Sequence, residues 1–202
     1  TTQVQASSGK RLNFSPTKKF RLKVDSAACV DNGIVPRELA DQIVPYIAWD
    51  VKKNHFFKND LMLMDFLANF NWSRPLYLAS PAAIEDVFDV SQYCHLEGFV
   101  YRFMPVRANN YMRRMGGLTT TDICKDALMQ QERWGNLHRD DVSVDRESYR
   151  NTAIPRNNFL QLAQALIREN RNEEAIVVMD RVMEKFPDHK VMFDMYMLGY
   201  ID

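Results

Sequence analysis

The chain has 202 residues, 46% hydrophobic and 26% charged, which allows one sizeable core or two small ones and argues against disorder. Its 26 basic and 26 acidic residues cancel, so no general electrostatic pull toward nucleic acid or an anionic bilayer operates. No apolar run reaches the ~18 residues of a membrane span, and the opening residues do not read as a signal peptide.

Residues 1–10 are small and polar and read as a frayed arm. Phe20-Arg21-Leu22-Lys23-Val24 alternates with period two, as a strand does, and its lysines and arginine suit a solvated face. Asn32-Gly33 makes a turn, and Pro36 opens a short helix carrying Leu39, Ala40, Ile43 and Val44, which Pro45 ends. A second strand follows at residues 46–51.

From Asn59 to Phe70 the chain is apolar on almost every side, which predicts a buried helix capped at Asn59 or Asp60. Leu63, Phe66 and Leu67 are expected in its packed interior, where Phe66→Ala would cost roughly 3–5 kcal/mol. Trp72-Ser73-Arg74-Pro75 leads into a short strand at 76–79, and Ser80-Pro81 opens a helix with Ile84, Val87, Phe88 and Tyr93. Gly98 precedes a strand at 99–104, stopped by Pro105. This order of strands and helices predicts an α/β (mixed α+β) domain with right-handed crossovers and a small, largely parallel sheet flanked by helices.

Residues 107–117 read as a loop, and Thr119 to Asp122 as a capping box opening a helix with Ile123, Ala127 and Leu128 inward. Gly135, after Trp134, suits a left-handed cap. The expected organisation is an α/β domain over 1–135, a polar linker over 136–155 and a helical segment over 156–202.

That last segment carries the strongest local pattern. Phe159, Leu162, Ala163 and Leu166 share one helical face, Asn170-Arg171-Asn172 turns, and Ala175, Met179 and Val182 line a second helix ended by Pro187. These positions match one tetratricopeptide-like repeat of about 34 residues, in which small residues let the helices approach closely. Val182 is larger than the usual alanine, and Leu166 replaces a tyrosine. A second unit with Phe193, Tyr196 and Tyr200 begins near Lys190 and stops at Asp202. The start at Thr1-Thr2-Gln3 and this abrupt stop read as a soluble piece cut from a longer protein. One repeat cannot cover its own apolar face, so the hairpin is expected to pack on its neighbours, as a cap more readily than as a peptide-binding groove.

Chemistry-bearing motifs are not found. Cys29, Cys94 and Cys124 are odd in number, far apart and outside any zinc-type spacing, as buried or half-buried thiols would be. The histidines, His55, His95, His138 and His189, fall in no ligand spacing, and no P-loop, GxGxxG or GxSxG occurs. Asp140, Asp141 and Asp145 lack the glycine and glutamate of a calcium loop, and Glu85, Asp86 and Asp89 read as a solvated face. Asn71-Trp72-Ser73 is formally a glycosylation sequon, in a tight position that argues against its use. No catalytic, cofactor-binding or metal-binding residue is therefore assigned.

Three strings are distinctive: residues 58–65, then Asn71 to Ala79 with its Trp-x-Arg-Pro, then Leu96 to Val106 with its Glu-Gly-x-x-Tyr-Arg. They resemble the C-terminal soluble region of a bacterial multi-spanning membrane family, domain of unknown function 2723, whose membrane part is similar to protein O-mannosyltransferases. The resemblance spans most of 45–187, with Leu76 and Leu78 where the family tends to have Ile and Phe. It implies a non-catalytic domain on the extracytoplasmic (periplasmic) face of an inner membrane, anchored by an N-terminal membrane region. Its partners would be that region and an acceptor protein or glycan, not nucleic acid. The domain would position the acceptor or brace the membrane part. The rival reading is a protein-binding scaffold that uses the tetratricopeptide-like end.

Within the resembling strings, Arg74, Trp72, Tyr101 and Arg102 are the candidate ligand or partner contacts. For Arg74 the expected role is structural: bonding carbonyls at the end of the preceding helix, or pairing with Asp65 or Glu97. The alternative is a phosphate or glycan clamp.

Overall fold

The computed structural model describes residues 2–5, 11–14, 17–107, 118–131 and 135–192. The polar start is not a frayed arm throughout: strand β1 (Thr2–Gln5) pairs antiparallel with β2 (Arg11–Phe14). The chain groups into two compact units, residues 1–76, 80–93 and 104–107 in the first, and 77–79, 94–103 and 108–202 in the second. Their boundaries cut through the expected 1–135 domain, because the Gly98 hairpin described below associates with the C-terminal helices.

In the first unit β3 (Lys19–Lys23) pairs antiparallel with β4 (Tyr46–Asp50), so Leu22 faces Ile47 and Phe20 faces Trp49. Period-two alternation buries Leu22, Ile47 and Trp49 and exposes the residues between them. Trp49 meets Phe88 edge-on at 4.8 Å and donates its indole N–H to the Val87 carbonyl at 2.8 Å. Helix α1 (Ser26–Asp31), absent from the sequence expectation, begins where the Asp25 carboxylate accepts the Ala28 N–H. The segment after Pro36 is a 3-10 turn, Arg37–Gln42, with no buried residue.

Helix α2 (Lys58–Ala68) corrects the expectation of a buried helix. Only Asp60 and Leu67 are buried, whereas Leu61, Met62 and Phe66 are 53%, 65% and 43% exposed. Its start is fixed by Asp60, whose carboxylate accepts the Phe57 N–H at 2.9 Å and pairs with Lys53 at 3.1 Å. These bonds hold the Asp60 carboxyl below the usual carboxylate range, the Phe57 N–H having the largest effect.

The second unit holds a four-stranded sheet in the order β5 (Leu76–Leu78), β7 (Val100–Phe103), β6 (Cys94–Glu97), β8 (Leu118–Thr119). Strands β6 and β7 are antiparallel, with Glu97 opposite Val100, and the short β6–β8 pairing is parallel. The predicted largely parallel sheet is thus overturned, and the protein is a mixed α+β fold with antiparallel pairing dominant. The reason lies in two places. Gly98 adopts φ +72°, so a two-residue turn sends 94–97 straight back along 100–103. Residues 81–93 form only short 3-10 pieces, Pro81–Ile84 and Ser91–Tyr93, too little for a helical crossover between parallel strands.

Helix α3 (Thr121–Asp126) continues as a π-turn, Ala127–Gln131, and buries Cys124 and Leu128 while Ile123 is exposed. The expected capping box is not formed, since Thr120 makes no side-chain cap bond. Gly135 has the expected left-handed backbone, at φ 60°. The expected linker contains α4 (Arg146–Asn151), whose Asp145 cap accepts the Glu147 and Ser148 N–H groups.

The helical hairpin is α5 (Ala153–Arg168) and α6 (Asn172–Lys185). Phe159, Leu162, Ala163 and Leu166 meet Ala175, Val178 and Val182 in one buried cluster, with Met179 partly buried beside it. Asn170 takes a left-handed φ of 60°, while the Asn170 and Arg171 N–H groups return to the Ile167 and Leu166 carbonyls. That is a Schellman closure with asparagine where glycine usually sits. Trp134, Phe193, Tyr196, Tyr200 and most of the expected 107–117 loop lie outside the described residues.

Candidate functional site

A cleft of about 530 Å³ opens in the first unit between the last turns of α2 and the loop that follows. One wall is the helical stripe Met62, Asp65, Phe66 and Asn69, and the other is Phe70, Asn71, Ser73, Arg74 and Pro75. Spacings of three and four residues put the first set on one face of α2.

Trp72 holds the loop side in place. Its backbone is left-handed, φ 59°, a conformation that costs a bulky residue on the order of 1–2 kcal/mol. Three ties offset that cost. The indole N–H donates to the Lys23 carbonyl at 2.9 Å, the ring meets Phe70 edge-on at 4.8 Å, and the Trp72 carbonyl accepts from Asn32 Nδ2 at 3.0 Å. With the indole buried, Ser73 and Arg74 remain exposed on the cleft side.

Arg74 does not take the structural role expected of it. Among the described residues its guanidinium makes no hydrogen bond and no ion pair, although it lines the cleft together with Asp65. The carbonyls at the end of α2 are taken locally. The Asp65 carbonyl accepts the backbone N–H and the Nδ2 of Asn69, and the Leu67 carbonyl accepts the Phe70 N–H. Glu97 is engaged by Tyr77 and Arg102.

The other polar groups of the cleft keep bonding capacity. Asn71 uses Oδ1 to accept the Ser73 N–H and leaves Nδ2 available, and Asn69 uses Nδ2 and leaves Oδ1 available. Arg74 and Asn71 supply donors, Asp65 and Asn69 supply acceptors, and Phe66 and Phe70 add rings 5.7 Å apart. This combination suits reversible binding of a polar ligand that has an apolar side.

Tyr101 and Arg102 stand on β7 in the second unit and are held differently. Arg102 Nη1 lies 3.4 Å from Glu97 Oε1, and its guanidinium sits 5.5 Å from the centre of the Tyr77 ring. Tyr77 Oη donates to Glu97 Oε2 at 3.3 Å. Burial raises the Glu97 carboxyl, opposed by Arg102 and by the Tyr77 hydroxyl. Tyr101 is packed against the hairpin core, and burial raises its phenol. Of the four sequence-predicted contacts, Arg74 faces the cleft, Trp72 supports it from within, and Tyr101 and Arg102 belong to the sheet of the other unit. Sequence reasoning named Asp65 only as a partner for Arg74 and Phe66 only as core, and placed neither of them, nor Asn69, at a site, although their spacing with Met62 was a readable signal: a helical stripe of mixed polarity inside an apolar run.

The remaining chemistry-bearing groups have structural settings. Burial pushes the Cys29 and Cys94 thiols up to about 12 and Cys124 to about 11, which keeps all three protonated at neutral pH. Lys52 bridges Glu85 and Asp89 at 3.0 and 3.1 Å, and Asp141 pairs with Arg139. Among the described residues no group of three His, Cys, Asp or Glu side chains is arranged to hold a metal ion. Nor is any helix there long and apolar enough to cross a membrane.

Compared with known proteins, the chain matches the family model of TMEM260-associated domain 2 over residues 1–122. The match takes in α2, the Trp72 loop and the cleft, and ends within α3. No curated protein and no solved structure matches the chain.

Proposed function

The chain belongs to the TMEM260-associated domain 2 family, and from that premise we propose that it is the non-catalytic, extracytoplasmic domain of a membrane-embedded, glycosyltransferase-like protein. In this reading the domain positions an acceptor protein or glycan for the membrane part, or braces that part, and its partners are that region and the acceptor. The finer kinship, to the soluble C-terminal region of the domain of unknown function 2723 proteins and their O-mannosyltransferase-like membrane part, belongs to the same proposal. The Trp-x-Arg-Pro and Glu-Gly-x-x-Tyr-Arg strings support it. The observation that carries the reading is the cleft at Arg74. An arginine with no partner among the described residues, set beside Asp65 on a loop whose backbone is held in a costly conformation, is an arrangement that serves a ligand better than the fold.

Excision of this domain from the full-length parent provides the test. If the membrane part still inserts and is stable but transfer onto its acceptor falls by an order of magnitude or more, the domain positions the acceptor. Collapse of the membrane part would point to bracing, and unchanged transfer with a stable membrane part would overturn both.

One observation favours the rival scaffold reading. Ile176 and Met183, seven residues apart on α6, are 53% and 43% exposed, an apolar stripe of the kind that docks a partner helix. Loss of a defined protein partner on Ile176→Glu, with transfer by the parent intact, would favour that reading.

A further inference from the structure

We propose that the cleft at the C-terminal end of α2 is a binding site for a neutral saccharide, held between the phenylalanine rings and the free polar groups of Asp65, Asn69, Asn71 and Arg74. The inference deepens the acceptor-positioning reading and rests on it for its place in function, though the binding chemistry can be tested without it.

The electrostatics select the ligand class. A lone arginine invites an anion, but anion sites on helices form at N-termini, where free N–H groups and the positive end of the dipole converge. This cleft lies at the opposite end, beside the last carbonyls of α2, and contains the Asp65 carboxylate. Both raise the energy of a phosphate or sulfate there, and among the described lining residues Arg74 alone carries an opposing charge. A sugar hydroxyl is indifferent to this balance, because it donates and accepts at once. Adjacent hydroxyls of one ring can donate to Asp65 and to Asn69 Oδ1 while accepting from Arg74 and from Asn71 Nδ2.

The apolar half of the cleft fits the same ligand. Phe66 is 43% exposed although it lies on an apolar helix, and it pairs with Phe70 at 5.7 Å between ring centres. Such rings offer flat apolar area to the C–H face of a pyranose. The Trp72 conformation fixes the loop beforehand, so little ordering is left to oppose binding.

The test is a titration of the isotope-labelled 202-residue chain with the methyl α-glycosides of glucose, galactose and mannose, and separately with inorganic phosphate, followed by amide chemical shifts. The expected result is a saturable shift of amides within 62–75 by at least one glycoside. Arg74→Gln should weaken it about tenfold, the equivalent of one charge-assisted hydrogen bond, and Phe66→Ala by a similar factor through the lost ring contact, with the rest of the spectrum unmoved. A response to phosphate alone, glycoside shifts elsewhere, affinity unchanged in both variants, or no response to any glycoside would each overturn the proposal. The parent protein separates this from the broader reading. Reduced transfer on excision without glycoside binding removes the saccharide and keeps acceptor positioning. Glycoside binding with undiminished transfer does the reverse.

Discussion

Helix α2 and the α5–α6 hairpin are both rich in apolar residues, and they use them in opposite ways. In the hairpin the stripe read from the sequence turns inward: Phe159, Leu162 and Leu166 are fully buried, Met179 is partly buried, and Ala163 and Ala175 let the helices close on one another. In α2 the run that looks most like core leaves Leu61, Met62 and Phe66 largely in solvent. An apolar stripe backed by polar residues names its own buried face. A helix apolar on every side does not, and its contacts are settled by what the rest of the chain supplies. For α2 the chain supplies packing at Asp60 and Leu67, and the exposed flank becomes the wall of the Arg74 cleft.

The sharpest break of this comparison is a pair of phenylalanine truncations. Phe159→Ala should cost about 3–5 kcal/mol, the range for a fully buried aromatic, measured by urea unfolding. A cost near zero would mean that the hairpin does not pack as described.

Next in size is Gly98→Ala in the β6–β7 turn. A Cβ there would lie 2.8 Å from the Ala127 Cβ, and the backbone φ of +72° disfavours any side chain. Asn158 Nδ2 also donates to the Gly98 carbonyl at 2.9 Å, so the turn cannot move away without breaking a buried bond to α5. A loss of about 1–3 kcal/mol is expected, and a neutral result would show that the turn relaxes freely.

Phe66→Ala is the counterpart in α2. The sequence reading called for roughly 3–5 kcal/mol on the assumption of a buried site. At 43% exposure the loss should fall below about 1 kcal/mol. A loss as large as that of Phe159→Ala would mean that another surface covers α2 in solution.

These contrasts show what could be read from the sequence. The hairpin was legible almost residue by residue, because its contacts are local and its pattern repeats with the helical period. So were the β3 and β4 strands, from their alternation. The sheet was not, because pairing direction depended on Gly98 making a two-residue turn and on 81–93 staying too short to cross over, and neither shows in apolar periodicity. Arg74 was legible as an unusual residue, but its freedom was not. That depended on Asn69 taking up the helix-end carbonyl and on Arg102 and Tyr77 engaging Glu97. Trp72 was expected at the site and serves from behind it, since only the fold shows that its indole reaches the Lys23 carbonyl.

The smallest effect concerns acid. Glu174, on the first turn of α6, accepts from Arg171 Nε and Nη2 at 2.7 and 2.8 Å and also pairs with Lys125. Arg171 reaches Asp122 and Glu169 as well, so the network ties α3 to the hairpin turn. These bonds, those from Arg171 first, hold the Glu174 carboxyl down at about 2. A carboxyl lowered by folding stabilises the native state above its ordinary range of about 4.3, and that contribution is lost as pH falls through the native value. The wild type should therefore melt slightly above Glu174→Gln at pH 7, with the gap closing between about pH 4.3 and 2; the network is solvent-facing, so the gap stays small. Asp60 on α2 is lowered by its own local partners, Phe57 and Lys53, and provides the internal control. In the Glu174→Gln chain, amide protection at the start of α2 should keep its acid sensitivity while that at the start of α6 loses it. If both lost it together, the two helices would share one acid-sensitive unit and the contrast between them would not hold.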